Sequence, residues 1–532
     1  MAQILVSHLT FTYPGSFEPL FEDVSFTLDS SWKLGFVGRN GRGKTTFLRL
    51  LMGDYSYQGT IQTRLSFAYF PFDVPDAGKS ALAVVREVIA PFDAWQRTLD
   101  TADPMSEAYQ QAFDLFLSHD GYIIDELIAR EAGLIGVSGE ALLRPFATLS
   151  GGERVKLLLS ALFLRKNAFL LIDEPTNHLD DAGRAAVRDY LRKKSGYILV
   201  SHERTLLDAC CDHILSLGNR RITLEQGNYA SFHENQRRQE AWETARNAQL
   251  KRDIAQLENA AREREGWSDS LEKTKKSSAD SGYVGHKAAK LMQLSKNLER
   301  RQERAIAEKR ALLQHVETAE PLKIIPEPYR APRILELSKL SVDYGAGPLF
   351  TPVDLLLERG ARVRIKARNG AGKSSLIRLL MGEEVPHTGE IRRARDVVIS
   401  YVAQDTSHLR GSLTDFADAQ TIDRTLLLSM LRKLDFSRTL FEFPIETYSA
   451  GQRKKVLLAA SMCQRAHLYI WDEPLNFIDL LSREQIEEAV CESGMTLLFV
   501  EHDEAFCARV ATHTVELTRP CPGALYIKEE FA

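Results

Sequence analysis

Two glycine-rich loops, each ending in a lysine followed by hydroxyl residues, are the segments of this chain best suited to chemistry. The first spans residues 38–46 and the second spans residues 367–375. In such a loop, backbone N–H groups surround a phosphate at a helix N-terminus, and the lysine ammonium contacts the terminal phosphates. The predicted nucleotide-binding residues are Gly38, Arg39, Asn40, Gly41, Gly43, Lys44, Thr45 and Thr46 in the first half, and Asn369, Gly370, Ala371, Gly372, Lys373, Ser374 and Ser375 in the second.

An acidic pair ends an apolar run in each half, as a hydrolytic phosphate site requires. These runs are residues 169–174 and 468–473. The second acid of each pair, Glu174 or Glu473, is placed to polarise an attacking water. The first acid and the loop hydroxyl are expected to hold Mg²⁺, which neutralises charge that develops during phosphoryl transfer. The predicted metal ligands are Thr45, Asp173, Ser374 and Asp472.

Three further motifs recur in the same order in both halves. Signature segments supply the candidate nucleotide-binding residues Ser150, Gly151, Gly152, Ser449, Ala450 and Gly451. His202 and His502 end apolar strands and are expected to contact the γ-phosphate, the alternative being a histidine satisfied in the core. Tyr13 and Tyr344 lie in strand-end turns and are expected to stack on adenine, the alternative being an exposed aromatic. The ordered set, present twice, indicates a duplicated ATP-binding cassette with ATP as ligand.

Bulk composition restricts the partners and the compartment. A net charge of −4 over 532 residues gives no sign of a polyanionic partner, so any such partner must be met by a local patch. The six cysteines show no metal-binding spacing and are expected to be reduced. No leader pattern and no run near the ~20 apolar residues of a membrane span is present. We therefore expect a cytoplasmic protein with no membrane contact.

The expected fold class is α/β, with two tandem P-loop ATP-binding cassettes joined by a long antiparallel α-helical hairpin. The first cassette is assigned to residues 1–232, with a helical arm inserted at about 80–140. Residues 233–325 are assigned to the hairpin, because residues 233–320 lack proline, are highly charged and carry leucines at heptad spacing. The second cassette is assigned to residues 326–532. Two helices of ~33 residues would each reach ~50 Å, and an extended tip would join them.

The predicted hairpin tip, at about 266–290, combines basic and aromatic residues. Basic groups contact phosphates and exposed aromatics stack on unpaired bases, which suits structured RNA. A solvated charged helix face is the alternative. The candidate RNA-binding residues are Trp267, Lys273, Lys275, Lys276, Tyr283, His286, Lys287 and Lys290.

These motifs resemble the ATP-binding cassette superfamily in both halves. The order cassette, charged hairpin, cassette, without a membrane domain, resembles its ABC-F group, which acts on the ribosome rather than with a transmembrane subunit. The resemblance implies a monomer in which the two cassettes pair head-to-tail. Ser150 and Gly151 would then cap the ATP held by Lys373, and Ser449 and Gly451 would cap the ATP held by Lys44.

Finer features resemble the antibiotic-resistance (Lsa- and Vga-like) branch of ABC-F. They are the segment Glu-Pro-Leu-Asn-Phe-Ile-Asp at 473–479 and the tip segments at 267–268, 272–275 and 282–287. The resemblance implies contact with ribosomal RNA and tRNA near the exit and peptidyl sites. The hairpin would reach the peptidyl transferase centre and dislodge lincosamides, pleuromutilins or group A streptogramins.

The sequence departs from the superfamily pattern at three positions. Aligning Tyr69 with Tyr401 puts Phe72 where the second half has Gln404, the catalytic glutamine that the family expects. Ala367 and Ala450 stand where glycine is usual. We therefore expect hydrolysis at unequal rates in the two sites.

Two alternative functions stay open at this point. One is a housekeeping ABC-F translation factor that relieves stalled ribosomes. The other is the ATPase subunit of an efflux transporter, in which a long basic hairpin would have no role.

Overall fold

The computed structural model describes residues 3–15, 18–74, 76–177, 179–218, 222–275, 321–345 and 347–520. It separates into two compact units, one formed by residues 1–230 with 320–532 and the other by residues 231–319. Among the described residues no helix is long and apolar enough to cross a membrane.

The first cassette contains two sheets. Strands β1 (Gln3–Phe11), β2 (Phe21–Asp29) and β4 (Gln58–Gln62) form an antiparallel sheet of order β2-β1-β4. The larger sheet, of order β5-β6-β7-β3-β8-β9, contains β3 (Lys33–Gly38), β5 (Ser66–Phe70), β6 (Ala168–Asp173), β7 (Tyr197–Val200), β8 (His213–Leu217) and β9 (Ile222–Gln226). Its strands are parallel except for the β8–β9 pair. Near-continuous burial of β6 and β7 is typical of a parallel sheet covered on both faces.

The helices of the first cassette include the one that follows the phosphate loop and five that lie between β5 and the signature segment. They are α1 (Lys44–Met52), α2 (Ala81–Ile89), α3 (Phe92–Thr101), α4 (Glu107–Ser118), α5 (Ile124–Leu134), α6 (Gly139–Leu143), α7 (Gly151–Leu164), α8 (Asp181–Arg192) and α9 (Arg204–Cys210). Helices α2 to α6 fall in the interval where we expected the arm. Parallel strands end at one edge of a sheet, so the loops after β3 and β6 converge there.

The second cassette repeats this plan. Its antiparallel sheet, β11-β10-β13, contains β10 (Arg333–Val342), β11 (Val353–Glu358) and β13 (His387–Arg393). Its parallel sheet, β14-β15-β16-β12-β17, contains β12 (Arg362–Ala367), β14 (Ile399–Val402), β15 (Leu468–Asp472), β16 (Leu497–Val500) and β17 (His513–Leu517). Its helices are α11 (Lys373–Met381), α12 (Leu413–Ala419), α13 (Arg424–Lys433), α14 (Ala450–Cys463), α15 (Leu480–Ser493) and α16 (Glu504–Val510). The prediction of an α/β protein with two cassettes is confirmed.

One long helix, α10 (Tyr229–Lys275), occupies the described part of the linker. Its 47 residues correspond to a length of ~70 Å. It continues through Gly266, because a single glycine costs a helix only ~1 kcal/mol and no proline follows. The extended conformation expected for the tip is therefore wrong for residues 266–275. The second arm of the predicted hairpin lies outside the described residues.

The segment after the linker is anchored to the second cassette by buried side chains that alternate with exposed ones. Leu322 and Ile324 are each 5% exposed and belong to the core that also contains Trp471. Ile325 is 53% exposed. Residues 322–324, assigned to the hairpin from sequence, thus pack into the core of the second cassette.

We predict that Ile324→Ala lowers the free energy of unfolding of the second cassette by ~2–5 kcal/mol, the usual cost of truncating a buried isoleucine. Ile325→Ala is the matched control and should change it by less than ~0.5 kcal/mol, because its side chain is mostly in water. Urea unfolding followed by tryptophan fluorescence measures both, since Trp471 lies in the same core. Equal destabilisation by the two variants would contradict the anchoring role of Ile324.

Candidate functional site

Each phosphate loop turns into its helix through a glycine with left-handed backbone. Gly43 precedes α1 with φ of 99°, and Gly372 precedes α11 with φ of 91°. A Cβ at Gly43 would also lie 2.7 Å from Cδ2 of Leu20. The backbone conformation therefore favours glycine at both positions, and at Gly43 a side chain would also have to displace Leu20.

The lysine of the first loop is folded back onto its own backbone. Nζ of Lys44 donates to the carbonyl oxygens of Gly38, at 2.6 Å, and Arg39, at 3.1 Å. The residue is only 8% exposed, and burial lowers the pKa of its ammonium. The loop thus holds a cation next to the backbone N–H groups at the start of α1.

The acidic pair of the first cassette faces this lysine. Oδ2 of Asp173 accepts hydrogen bonds from Thr45 Oγ1 at 2.8 Å and from Tyr69 Oη at 3.0 Å. Burial, followed by the charge of Asp173, raises the pKa of Glu174 to about 8. Oε1 of Glu174 has no hydrogen-bond partner among the described residues, and Nε2 of His202 lies 3.4 Å from it. Burial and the nearby Lys44 hold the pKa of His202 well below its usual value, so this histidine is neutral.

These residues fit Mg²⁺ bound together with nucleotide phosphates. Thr45 and Asp173 already touch, which places one hydroxyl and one carboxylate side by side. In the described part of the chain, no group of three or more His, Cys, Asp or Glu side chains could hold a metal alone. Magnesium is usually held by one or two carboxylates together with substrate phosphates, which is the set that Thr45, Asp173 and a bound nucleotide would supply.

The second cassette closes the first site. A cavity of about 1210 Å³ around Lys44 is lined by both cassettes, and its lining includes Ser449 and Gly451. Nδ2 of Asn40 donates to the carbonyl oxygen of Phe477 at 2.7 Å. The signature of the second cassette therefore lies against the phosphate loop of the first, in the head-to-tail arrangement that the family resemblance implies.

A segment that the sequence did not single out lines the same cavity. Its residues are Arg432, Asp435, Phe436, Ser437, Thr439 and Leu440. Oδ1 of Asp435 lies 3.2 Å from Nη1 of Arg39 and 3.8 Å from Nη2 of Arg42. No motif marks this segment, because only the pairing of the two cassettes brings it to the loop.

The second site carries the same groups with different partners. Nζ of Lys373 lies 2.8 Å from Nε2 of His502 and 3.8 Å from Oε1 of Glu473. Oε2 of Glu473 accepts hydrogen bonds from Gln404, at 2.8 Å, and from Asn476, at 2.7 Å. Burial, followed by the charge of Glu473, raises the pKa of the neighbouring Asp472 to about 6. Gln404 is thus in contact with the predicted catalytic carboxylate.

His502 is held from the opposite cassette. Its Nδ1 lies 2.7 Å from Oδ1 of Asp181, the first residue of α8, and Oδ2 of Asp181 accepts from Arg364 at 2.9 Å. The matched first residue of α15 is Leu480, which cannot make this bond to His202. The carboxylate fixes the orientation of the His502 ring, so the two sites differ in this respect. Sequence inspection missed Asp181 because its partner lies in the other cassette.

The two tyrosines occupy equivalent positions beside their loops. Oη of Tyr13 lies 2.6 Å from Oγ1 of Thr46, and Oη of Tyr344 donates to Oγ of Ser375 at 3.1 Å. Both rings are exposed, at 40% and 55%. Tyr13 also lines the cavity around Lys44. Stacking of either ring on adenine stays a prediction.

The structure gives the positions of a signature serine and of the two residues aligned at the catalytic glutamine. Ser150 caps α7 and shares a capping box with Glu153, but its contact with ATP at Lys373 stays a prediction. Tyr69 pairs with Leu171 and Tyr401 pairs with Ile470, which supports the alignment that sets Phe72 opposite Gln404. Phe70 and Pro71 are among the residues lining the first cavity, whereas Phe72 is not.

The candidate RNA-binding residues are only partly described. Trp267, Lys273 and Lys275 fall on α10. Lys276, Tyr283, His286, Lys287 and Lys290 lie outside the described residues.

A family model described as "ABC transporter" matches residues 21–177 and 350–476, which is more than half of the chain. The chain therefore belongs to the ABC transporter family, and it carries two ATP-binding cassettes. Such cassettes bind ATP, and ATP hydrolysis follows as the expected activity.

Relatives along nearly the full length point to the ABC-F ATPases. The chain is 28% identical over 507 residues to the probable ATP-binding protein YheS of Escherichia coli K12, covering 91% of this chain and 74% of that protein. It is 27% identical over 529 residues to the energy-dependent translational throttle protein EttA of Haemophilus influenzae, covering 93% and 89%. ABC transporter F family member 5 of Arabidopsis thaliana is 25% identical over 540 residues, with 94% and 73% covered.

A solved structure shares the fold at low identity. It is the complex of the archaeal ribosomal stalk protein aP1 with the archaeal ribosome recycling factor aABCE1, with a TM-score of 0.56 and 17% identity. The match covers 96% of this chain and 87% of that one.

We predict that Asp181→Leu lowers the turnover number for ATP hydrolysis by on the order of tenfold, the size usual when a residue that orients a site group is lost. The KM for ATP should change little, because the phosphate loops are untouched. Steady-state phosphate release measures both. Asp189→Asn, an exposed change on the same helix, is the control and should behave like the unmodified protein. An unchanged turnover number in Asp181→Leu would remove Asp181 from the site.

Proposed function

We propose that this ABC-F ATPase acts on the ribosome in the cytoplasm, binding in the ATP-bound closed state and leaving after hydrolysis. The cavity around Lys44 carries the proposal, because its walls come from both cassettes. A nucleotide held there contacts both cassettes and so stabilises their closed arrangement. Hydrolysis removes the γ-phosphate contacts and lowers the affinity of one cassette for the other. The relative named translational throttle supports a role in translation.

The geometry around each lysine supports the proposed catalytic roles. Lys44 and Lys373, with the loop N–H groups, hold the phosphates, while Glu174 and Glu473 orient the attacking water. Mg²⁺, held by Thr45 with Asp173 and by Ser374 with Asp472, would neutralise phosphate charge. A neutral His202 donates a hydrogen bond to phosphate only through the ring nitrogen that carries its proton.

The linker supplies the proposed contact with RNA. Helix α10 leads from the first cassette into the basic segment that contains Lys273 and Lys275. Lysines placed along an RNA backbone gain affinity by releasing its counterions. We propose that this segment contacts ribosomal RNA and tRNA near the exit and peptidyl sites.

Two finer functions fit this proposal. The first is protection of the peptidyl transferase centre from lincosamides, pleuromutilins or group A streptogramins, supported by the segment at 473–479 and the tip sequence. The second is a translation factor that relieves stalled ribosomes, supported by the name of the translational throttle relative. The same ATP-driven cycle serves both.

We predict that Glu174→Gln combined with Glu473→Gln abolishes ATP hydrolysis and preserves ATP binding. The amide cannot accept a proton from the attacking water, whereas the phosphate loops are unchanged. The doubly substituted protein should therefore stay on ribosomes with ATP. Phosphate release, nucleotide binding and ribosome co-sedimentation measure the three effects. Hydrolysis at the unmodified rate would remove both glutamates from the mechanism, and normal release from ribosomes would contradict the proposed cycle.

We predict that replacing the segment between Gly266 and Gly285 by a short Gly-Ser loop abolishes drug protection while ATP hydrolysis is kept. The reason is reach: the shortened linker ends before the drug site. Inhibitory concentrations of the three drug classes in a susceptible bacterium give the readout. The substitutions Lys251→Gln and Arg252→Gln, on an exposed part of α10, are the control. If the full chain protects against none of these drugs, the translation-factor function is favoured; if the shortened chain still protects, the tip has no such role.

A further inference from the structure

The two cassettes meet along a helix seam, formed by α8 and α9 of the first and α15 and α16 of the second. Each cassette repeats one internal ion pair there. Arg184, the fourth residue of α8, pairs with Glu203 just before α9. Arg483, the fourth residue of α15, pairs with Asp503 just before α16 at 2.8 Å. The internal pairs show that α8 matches α15, and α9 matches α16, residue by residue.

Two ion pairs cross the seam at matched positions. Arg188, the eighth residue of α8, donates to Glu504, the first residue of α16, at 3.0 Å. Glu487, the eighth residue of α15, accepts from Arg204, the first residue of α9. The two contacts are therefore one contact made twice, with the charges exchanged: the first cassette supplies both arginines and the second supplies both glutamates.

Because one of these two ion pairs is buried, the charges at the seam can decide which cassettes associate. The side chain of Glu487 is 1% exposed and that of Arg204 is 17% exposed, so water cannot screen this pair well. If two first cassettes from different copies paired in the same geometry, Arg188 would face Arg204. If two second cassettes paired, Glu487 would face Glu504. Like charges so placed oppose association, which is a recognised way to exclude a wrong partner.

We propose that the helix seam is a specificity surface for cassette pairing. It accepts the first cassette against the second and rejects pairing between like cassettes of two copies. The seam thereby directs closure inside one chain, where each ATP site needs residues of both cassettes. This inference rests on the proposed function only for its hydrolysis readout.

Charge exchange at the matched positions tests the proposal in the full chain. One variant carries Arg188→Glu and Arg204→Glu, which makes both sides of the seam acidic. The other carries Glu487→Arg and Glu504→Arg, which places basic residues on both sides of the two matched contacts. Glu487 also pairs with Arg509 inside the second cassette at 2.9 Å, and Glu484 lies 4.0 Å from Arg204 across the seam. The basic variant therefore also carries Arg509→Ala and Glu484→Ala, the residue types of the matched Ala209 and Ala185. A third protein combines all six substitutions.

Closure is read by an intrachain disulfide between Asn40→Cys and Phe477→Cys, two positions in contact through Asn40 Nδ2 and the Phe477 backbone oxygen, 2.7 Å apart. Hydrolysis is read in separate chains that carry the same charge substitutions but keep Asn40 and Phe477, because Asn40 belongs to the phosphate loop. Each like-charged variant should lose crosslinking and ATP hydrolysis by roughly tenfold, and the combined variant should recover both. Full crosslinking in a like-charged variant, or no recovery in the combined one, overturns the proposal. Crosslinking as expected, with no ATP hydrolysis in the matching chains that keep Asn40 and Phe477, would instead contradict the proposed function.

The milder exchange Arg188→Glu with Glu504→Arg guards against misfolding, since these side chains are 29% and 50% exposed. Each single substitution should lower the crosslink yield by roughly threefold, and the pair should restore it. If the double variant shows the summed loss of crosslink yield of the two single variants, charge repulsion is not the cause of that loss. Circular dichroism of every variant confirms that the helices are intact before the yields are compared.

Discussion

The contact of one cassette with the phosphate loop of the other is the constraint on which the remaining structure depends. A phosphate loop presents backbone N–H groups and a lysine on one side of its ligand only. The opposite wall of the Lys44 cavity comes from Ser449, Gly451 and the segment around Asp435. The bond from Asn40 to the backbone of Phe477 sets the position of that wall. An ATP molecule in this cavity would therefore contact both halves of the chain.

A buried ion pair holds the segment that follows the acidic pair of the second cassette. Lys455 and Asp479 pair at 2.8 Å, with side chains 5% and 1% exposed. Asp479 also caps α15, and Lys455 donates to the carbonyl oxygen of Leu434, next to Asp435. Removing one member of such a pair leaves an uncompensated buried charge, which is strongly destabilising. The network joins the signature helix α14, the cavity segment and the end of the loop that carries Phe477.

The two sites share their chemistry but differ in what surrounds it. Glu473 accepts bonds from Gln404 and Asn476, whereas Oε1 of Glu174 has no hydrogen-bond partner among the described residues. Asp181 of the first cassette orients His502. Its counterpart in the second cassette is Leu480, which cannot accept a hydrogen bond from His202. The difference in surroundings agrees with the unequal turnover that the sequence suggests.

The sequence by itself determined the α/β class, the two cassettes and the residues of each phosphate loop. These features depend on local backbone geometry and on short spacings, such as a glycine before a helix or an acidic pair at the end of a buried strand. Inspection of the linker sequence misjudged residues 266–275, because one glycine weakens a helix without ending it. Only the tertiary structure decided which groups act together across the cassettes. Asp181 with His502, Asp435 with Arg39, and the exchanged charges of Arg188 and Glu487 carry no local signal. Their meaning comes from partners hundreds of residues away, which packing of two similar but unequal surfaces brings within hydrogen-bond distance.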